Sequence, residues 1–188
     1  MSSNKDCFKN LRWYYFYIDQ QNKKVTYKCK DVDGKDRFFI MQNSNGVFTP
    51  LEIDFNSEFS KLIRISFAEG YQGELADQPL ECFQAISEVL RNRVNSAGFP
   101  DTYSGNIYYP AFKAVNRIEY NTPYSLFHLN ANRPIKGFVK TIIGAIKAVY
   151  FNSNIANNAI CFNKSATISD CGDNVKVVAE HCVHYFWG

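Results

Sequence analysis

The stretch KLIRISFAEGYQGELADQPLECFQAISEVLRNRV, residues 61–94, decides the predicted fold because its apolar residues recur at helical spacing. From Phe59 to Phe67 they stand three and four positions apart, and Gly70 favours the end of a helix. The spacing therefore predicts a helix with Glu69 in its last turn or just past it.

A second helix is predicted after Pro79, because proline suits a first helical turn and an apolar stripe runs from Leu80 to Val94. The apolar spacing of residues 138–150 predicts a third helix. Residues 99–136 are rich in Asn, Tyr and Pro, which predicts a long ordered loop region where functional residues often lie. The tail, AICFN followed by VKVVAEHCVHYFW, predicts short strands or a strand and a turn.

The segments RWYYFYID, KKVTYKCK and RFFIMQ are rich in aromatic and β-branched residues and are separated by turn-forming residues. They predict a three-stranded meander with strands near 12–18, 24–30 and 37–42. We therefore expect two parts, a small N-terminal β appendage at 1–55 and a main domain at 56–188.

Charge and hydropathy exclude two classes of partner. The net charge is only +3, and no run of Lys and Arg concentrates it. A positive charge this small and dispersed does not indicate nucleic-acid binding. No apolar run approaches the roughly 18 residues of a membrane span, so we expect no membrane insertion. The N-terminus lacks the apolar core of a signal peptide, so action outside the cytoplasm would need another export route or a leader that this chain lacks.

The six cysteines show no CxxC spacing. Their even number permits disulfides in an oxidising compartment, but we interpret them as buried or free thiols because a chain of this length has no need of covalent staples. Near the C-terminus, the spacing of cysteine and histidine matches no zinc pattern, so neither a metal nor a cofactor is predicted.

Glu69 is the best candidate acid because it ends an apolar helix and is expected to emerge from a hydrophobic wall. Desolvation of that kind raises a carboxyl pKa, which a general acid needs at neutral pH. The alternative is a solvated Glu at a helix end. Glu74 follows in the loop, about 140° away if the helix were continuous, so the two share a site only if Gly70 breaks the helix.

The order of several motifs resembles the spore-cortex-lytic family of cell-wall hydrolases. In that family a Glu followed by Gly-Glu precedes a helix that ends in Asn-Arg-Val, and Phe-Pro-x-Thr comes next. The matching positions here are Glu69, Gly73-Glu74, residues 92–94 and residues 99–102. The two acids are five positions apart instead of the family's usual four. Glu74 therefore matches the family's second acid less well than Glu69 matches the first.

Three later segments continue the resemblance, which covers about residues 63–187: YYPAFKAV, NNAICFN and VHYFW. The first resembles the segment where the family carries a groove Phe, the second a strand, and the third the closing His-x-Phe-Tyr. The resemblance implies a set of substrate-binding residues: Asn92, Tyr108, Phe112, Asn163 and His184.

The resemblance implies an α+β fold with a mostly helical, lysozyme-like or lytic-transglycosylase-like catalytic domain. It also implies cleavage of the MurNAc–GlcNAc β-1,4 bonds of peptidoglycan, with Glu69 as catalytic acid and Glu74 as the second candidate. Without a convincing second carboxylate, a lytic transglycosylase is favoured over a hydrolase. We expect glycan strands as substrate, and either an antibacterial toxin delivered to the periplasm and neutralised by an immunity protein, or a phage or housekeeping wall enzyme.

Two other hypotheses of function stay open. Cys82 lies in the first turn of a helix, where the dipole lowers a thiol pKa, so with His128 or His184 it is a candidate nucleophile of a peptidoglycan amidase or endopeptidase. A core cysteine is the simpler interpretation. The chain is alternatively a degenerate member that only binds glycan.

Overall fold

The computed structural model describes residue 7 and residues 12–70, 78–106, 135–167 and 174–188. About 35% of the described residues are helical and 31% lie in strands, which form a four-stranded and a three-stranded sheet. The expected mostly helical, lysozyme-like domain is therefore wrong, because strands occupy nearly as much of the described chain as helices do.

The first sheet contains four strands, β1 (Arg12–Asp19), β2 (Lys24–Asp31), β3 (Arg37–Ser44) and β4 (Val47–Glu52). Their order is β2-β1-β3-β4, with β1 antiparallel to β2 and parallel to β3. The three predicted strand positions are confirmed, but a meander is wrong because β3 pairs with β1 and not with β2. The central place of β1 suits its composition, since it carries aromatic residues on both faces.

Strand β4 escaped prediction because all six of its residues are exposed and so show no alternation of apolar and polar positions. It also contains Pro50, which cannot donate a ladder hydrogen bond and is tolerated at the edge of a sheet. Its hairpin with β3 turns at Asn45 and Gly46, whose φ angles of 51° and 83° both lie in the left-handed region. Asn-Gly is the pair that favours such a two-residue turn.

The described helices are α1 (Glu58–Gly70), α2 (Leu80–Val94), the short α3 (Tyr103–Asn106) and α4 (Ile135–Tyr150). The three helices expected from apolar spacing are confirmed. Helices α2 and α4 touch closely at Gly144, where an added Cβ would lie 2.9 Å from the backbone nitrogen of Gln84. None of the helices in the described ranges is long and apolar enough to cross a membrane.

The inner face of the first sheet and the helices share one hydrophobic core. Tyr14, Phe16 and Phe38 are at most 1% exposed and belong to the same buried cluster as the apolar faces of α1, α2 and α4. The rings of Phe38 and Phe138 meet edge to face with centroids 5.2 Å apart, which joins β3 to α4. The helices are thereby fixed relative to the first sheet.

The second sheet is built from β5 (Cys161–Asn163), β6 (Val177–His181) and β7 (His184–Trp187). The central strand is β7, which is antiparallel to both neighbours. The short strands predicted for the tail are thus confirmed. Phe162 and Phe186 belong to the common buried cluster, so the second sheet also packs against the shared core.

Candidate functional site

Glu69 lies in the last turn of α1, as the sequence predicts, and is only 7% exposed. A solvated glutamate at a helix end is therefore ruled out. Its neighbour Gly70 is packed against α2, where an added Cβ would lie 2.6 Å from the ring of Phe83. The absence of a side chain at position 70 lets α2 approach the turn that carries Glu69.

Helices α1 and α2 are also joined by a polar contact one turn earlier. The hydroxyl oxygens of Ser66 and Ser87 lie 2.9 Å apart, and both residues are fully buried. Because buried hydroxyls are stable only when hydrogen-bonded, this contact holds the helix pair in one register beside Glu69.

The end of α2 anchors the second sheet. Asn92 donates from Nδ2 to the Ala159 carbonyl oxygen at 2.9 Å, and Arg93 donates from Nε to the carbonyl oxygen of Ile160. The guanidinium of Arg93 is nearly fully buried and also contacts Cys161 Sγ at 3.1 Å. Two segments of the family-like pattern, Asn-Arg-Val and the strand of NNAICFN, are thus in direct contact although about 67 residues separate them. The side-chain amide of Asn92 thus holds the backbone at Ala159. A role of Asn92 in substrate binding stays a prediction.

His184 lies at the start of β7 and is 4% exposed. Its ring meets that of Phe162 edge to face at 5.1 Å, and Nδ1 has no hydrogen-bond partner among the described residues. Burial, with a smaller effect from Lys164, lowers the pKa of His184 to about 4. The imidazole is therefore neutral at pH 7 and presents polar ring nitrogens without charge.

Asn163, at the end of β5, is half-buried, and its Oδ1 accepts a hydrogen bond from the backbone N–H of Ser165 at 3.2 Å. It pairs with Tyr185 across the β5–β7 ladder, one position from His184. Asn163 therefore shares a face of this sheet with Tyr185, whereas His184 lies on the other face, where its ring meets that of Phe162. The substrate-binding role of both residues stays a prediction.

The cysteines are not free thiols. Cys82 forms a disulfide with Cys182, Cys7 with Cys29, and Cys161 is also disulfide-bonded, so no described cysteine is free. The interpretation as thiols is wrong because the fold brings cysteines together that stand far apart in sequence. A disulfide sulfur carries no thiolate, so Cys82 is not a nucleophile in this structure.

Several predicted residues lie outside the described part of the chain, namely Glu74, Tyr108, Phe112 and His128. Within the described part, no group of three or more His, Cys, Asp or Glu residues is arranged to hold a metal ion. Of the predicted site residues, the structure therefore describes Glu69 at the end of α1 and Asn92, Asn163 and His184 around the second sheet.

Sequence reasoning missed a second buried acid, Glu88, in the middle of α2. Its carboxylate accepts hydrogen bonds from Ser153 Oγ at 2.6 Å, from the backbone N–H of Ala156 at 2.8 Å and from Gln84 Nε2 at 3.2 Å. The bonds from Ser153 and Ala156 hold the chain that follows α4 against α2. The signal in the sequence is weak, since a single Glu within QAISEVL looks like an ordinary helix position.

Two clefts on the first sheet are lined by described residues. One, of about 580 Å³, lies at the β1–β2 turn, and the other, of about 450 Å³, lies beside Arg12 and Asp31. Neither is lined by Glu69 or by the residues around the second sheet. Comparison with known proteins finds no matching family model, no similar curated protein and no similar solved structure.

Proposed function

We propose that this chain is a muramidase or lytic transglycosylase that cleaves the MurNAc–GlcNAc β-1,4 bonds of peptidoglycan, with Glu69 as its general acid. The observation that carries the proposal is the burial of Glu69, 7% exposed in the last turn of α1. This residue occupies the position that the resemblance to cell-wall hydrolases assigns to the catalytic acid. A glutamate without a function at a helix end would more commonly be solvated.

Burial favours the protonated form of a carboxyl, and a protonated carboxyl is what the departing sugar oxygen needs. Glu69 donates its proton to the glycosidic oxygen as the bond to the anomeric carbon breaks. In the transglycosylase reaction the resulting carboxylate then takes the proton of the 6-hydroxyl, whose oxygen closes the 1,6-anhydro ring. Hydrolysis would instead use a water activated by a carboxylate, and Glu74 is the candidate for that role.

Glu88 is unsuited to serve as the second acid. Both of its carboxylate oxygens accept hydrogen bonds from α2 and from the segment after α4, and its side chain is fully buried. A carboxylate held in this way stabilises the fold and does not reach a substrate. The transglycosylase outcome, which needs one carboxyl, is therefore the form of the proposal that we favour.

The contacts of the second sheet support the family resemblance behind the proposal. Asn92 and Arg93 hold the backbone at residues 159–160, and β5 in turn pairs with β7, which begins at His184. Three of the motifs that resemble the family thus form one contiguous unit.

The disulfides support a site of action in an oxidising compartment such as the periplasm, where peptidoglycan is also found. Within the same proposal, we favour an antibacterial toxin that reaches the periplasm of a rival cell and is silenced at home by an immunity protein. An inhibitor of this kind would act most directly by covering the surface around Glu69.

The proposal is tested by replacing Glu69 with Gln, which keeps the shape of the side chain but removes the proton donor. Purified sacculi are incubated with wild type and Glu69→Gln, and loss of turbidity is followed with time. We expect a fall in rate of about 100-fold or more, since that is the usual contribution of a general acid. Thermal melting of both proteins checks that the fold is intact.

Glu81→Gln is the matched control, because Glu81 is an exposed glutamate in the first turn of α2. It should leave the rate unchanged. Mass spectrometry of the products then separates the chemistries: 1,6-anhydro-muropeptides indicate a transglycosylase and reducing-end sugars a hydrolase. Freed peptides, or a Glu69→Gln rate within about threefold of wild type, would contradict the proposal.

A further inference from the structure

The first sheet presents aromatic side chains on the face that points away from the core. Along β1, Tyr14 and Phe16 are fully buried, whereas Trp13, Tyr15 and Tyr17 alternate with them and are only partly buried. The outward set continues across the sheet through Phe39, which stacks on Tyr15, and Phe48, which meets Tyr17. A sheet face of this composition is unusual for a surface that contacts only water.

Most of these rings are already covered by neighbours. The guanidinium of Arg37 lies 5.0 Å from the ring centre of Trp13 and 5.3 Å from that of Phe39. Tyr15 lies parallel to Phe39 with centroids 5.1 Å apart. At the other end of the sheet the aromatic surface is more open, since Phe48 is 45% exposed.

At that open end lies the cleft of about 580 Å³, here called the sheet cleft. Its apolar part is formed by Tyr17, Ile18 and Phe48, and the rings of Tyr17 and Phe48 meet edge to face at 5.4 Å. Its polar part is formed by Asp19, Gln20, Gln21, Lys24, Thr26 and Asn43. The volume falls within the range of about 300–1,000 Å³ that is usual for ligand pockets.

Some polar side chains of the sheet cleft are held by hydrogen bonds within the protein, and others are available to bond a ligand. Asp19 accepts hydrogen bonds from Asn22, and Asn43 accepts one from Gly46, so these two side chains are oriented by the turns that they cap. The side chains of Gln20, Gln21 and Thr26 make no hydrogen bond with the described part of the chain. Amides and hydroxyls both donate and accept, so they match ligands whose hydroxyl groups do the same.

The charge of the sheet cleft points to an uncharged ligand. Its lining holds one carboxylate, Asp19, and one ammonium group, Lys24. Further along the same face, Arg37 pairs with Glu52 and Lys28 lies 5.4 Å from the ring centre of Tyr17, while Lys30 is exposed on β2. A nucleic-acid groove would need several uncommitted cations to neutralise phosphates.

We infer that the sheet cleft binds a saccharide chain. The apolar C–H face of a pyranose packs on an aromatic ring such as Phe48 or Tyr17, while Gln20, Gln21 and Thr26 bond its hydroxyl groups. The identity of the saccharide as a peptidoglycan glycan strand rests on the proposed function. In that case the cleft is a second contact with the insoluble substrate, separate from the surface around Glu69, and it keeps the enzyme on the wall between cleavage events.

The test measures co-sedimentation with purified sacculi in a Glu69→Gln background, so that binding is measured without cleavage. Three changes alter the cleft: Tyr17→Ala, Phe48→Ala and the exposed pair Gln20→Ala with Gln21→Ala. We expect each to raise the apparent Kd, by about tenfold for each aromatic residue. The glutamine pair tests the cleft without touching the sheet core, should the Tyr17 variant fold poorly.

Matched controls come from the same strands. Tyr15→Ala removes an aromatic ring from the same face of β1, and Leu51→Ala removes an exposed apolar side chain from β4, but neither residue lines the sheet cleft. Both should bind sacculi as tightly as the parent. The inference is overturned by an unchanged Kd in all the cleft variants, by an equal loss in Tyr15→Ala, or by cleft-dependent binding of a single-stranded DNA oligonucleotide in place of sacculi.

The two proposals fail in different ways. If the wild-type protein releases no muropeptides but binds sacculi through the cleft, the proposed cleavage is wrong and the saccharide site stands. If it cleaves sacculi and Glu69→Gln abolishes cleavage, but cleft variants bind as well as the parent, only the saccharide site is wrong.

Discussion

The two sheets of this protein are attached to the same helices by different kinds of interaction. The first sheet is attached by packing, through aromatic side chains such as Tyr14 and Phe38 that are almost completely buried. The second is attached largely by specific links, among them the hydrogen bonds of Arg93 and the Cys82–Cys182 disulfide. Packing follows from local sequence pattern, whereas links of this kind depend on pairs of residues far apart in the chain.

The largest expected effect comes from comparing one disulfide in each region. Cys82–Cys182 closes a loop with a sequence separation of 100, and Cys7–Cys29 one of 22. Cross-linking restricts the unfolded chain more when the loop is longer, so replacing the first pair by serine should cost about 4–5 kcal/mol and the second about 3 kcal/mol. Urea unfolding of the two double variants measures both losses.

Hydrogen exchange of backbone amides locates the damage. Loss of Cys82–Cys182 should increase exchange in β6 and β7 before it does so in β1 and β3, because packing still holds the first sheet. Equal exchange in both sheets would mean that the second sheet is attached as firmly as the first without its covalent link.

The next effect concerns acid, to which the two regions should respond differently. Burial lowers the pKa of His184 in the second sheet from 6.5 to about 4, while the pKa of Tyr14 in the first sheet is raised by burial and so lies far from the acidic range. Between these histidine values the unfolded chain takes up a proton that the folded protein does not. The free energy of unfolding therefore has its full value above about pH 6.5. It falls by up to about 3 kcal/mol as the pH is lowered towards 4, because protonation of His184 favours the unfolded chain.

The measurement is the free energy of unfolding from pH 7 to pH 4 for wild type and for His184→Asn, which does not titrate. Lys164 is the charged group that contributes to the shift, so Lys164→Gln serves as a second variant and should reduce the pH dependence slightly. Parallel pH curves for wild type and His184→Asn would rule out the buried neutral histidine.

The smallest effect is expected at the surface of the first sheet. Arg37 donates from Nε to Glu52 at 2.7 Å across β3 and β4, and this bond lowers the pKa of Glu52. Both side chains are partly exposed, so solvent and salt screen the pair, and Glu52→Gln should cost less than about 1 kcal/mol. Urea unfolding at low and high salt checks this, and a loss comparable to that of a disulfide would show that the first sheet also relies on specific links.

The same contrast explains which parts of the fold could be predicted. Strands β1 to β3 and the long helices were located correctly because their apolar residues repeat at the spacing of their own structure. The parallel pairing of β1 with β3 could not be predicted, since strand order depends on what covers each face. Nor could the disulfide pairing, because six cysteines allow about 15 arrangements and local sequence distinguishes none of them. The expected helical majority came from the resemblance and gave too little weight to the strand residues.

The site shows the same limit. Glu69 was located at the end of α1 by helical spacing, and its burial agrees with an apolar wall. Glu88 was missed because its three partners come from its own helix and from the segment after α4. The sheet cleft was missed because its lining residues come from β1, β2 and the β3–β4 hairpin, which meet only in the folded sheet.

The Cys82–Cys182 disulfide also determines how this chain can pass through a narrow opening. Once it forms, the residues between the two cysteines belong to a covalent ring, and tension applied to the chain ends cannot draw them out in single file. A pore wide enough for one extended strand therefore admits the protein only before oxidation, whereas a conduit for folded domains admits it at any time. A chain that crosses a membrane through a narrow pore in the reduced form, and then forms this disulfide, therefore cannot return through the same pore.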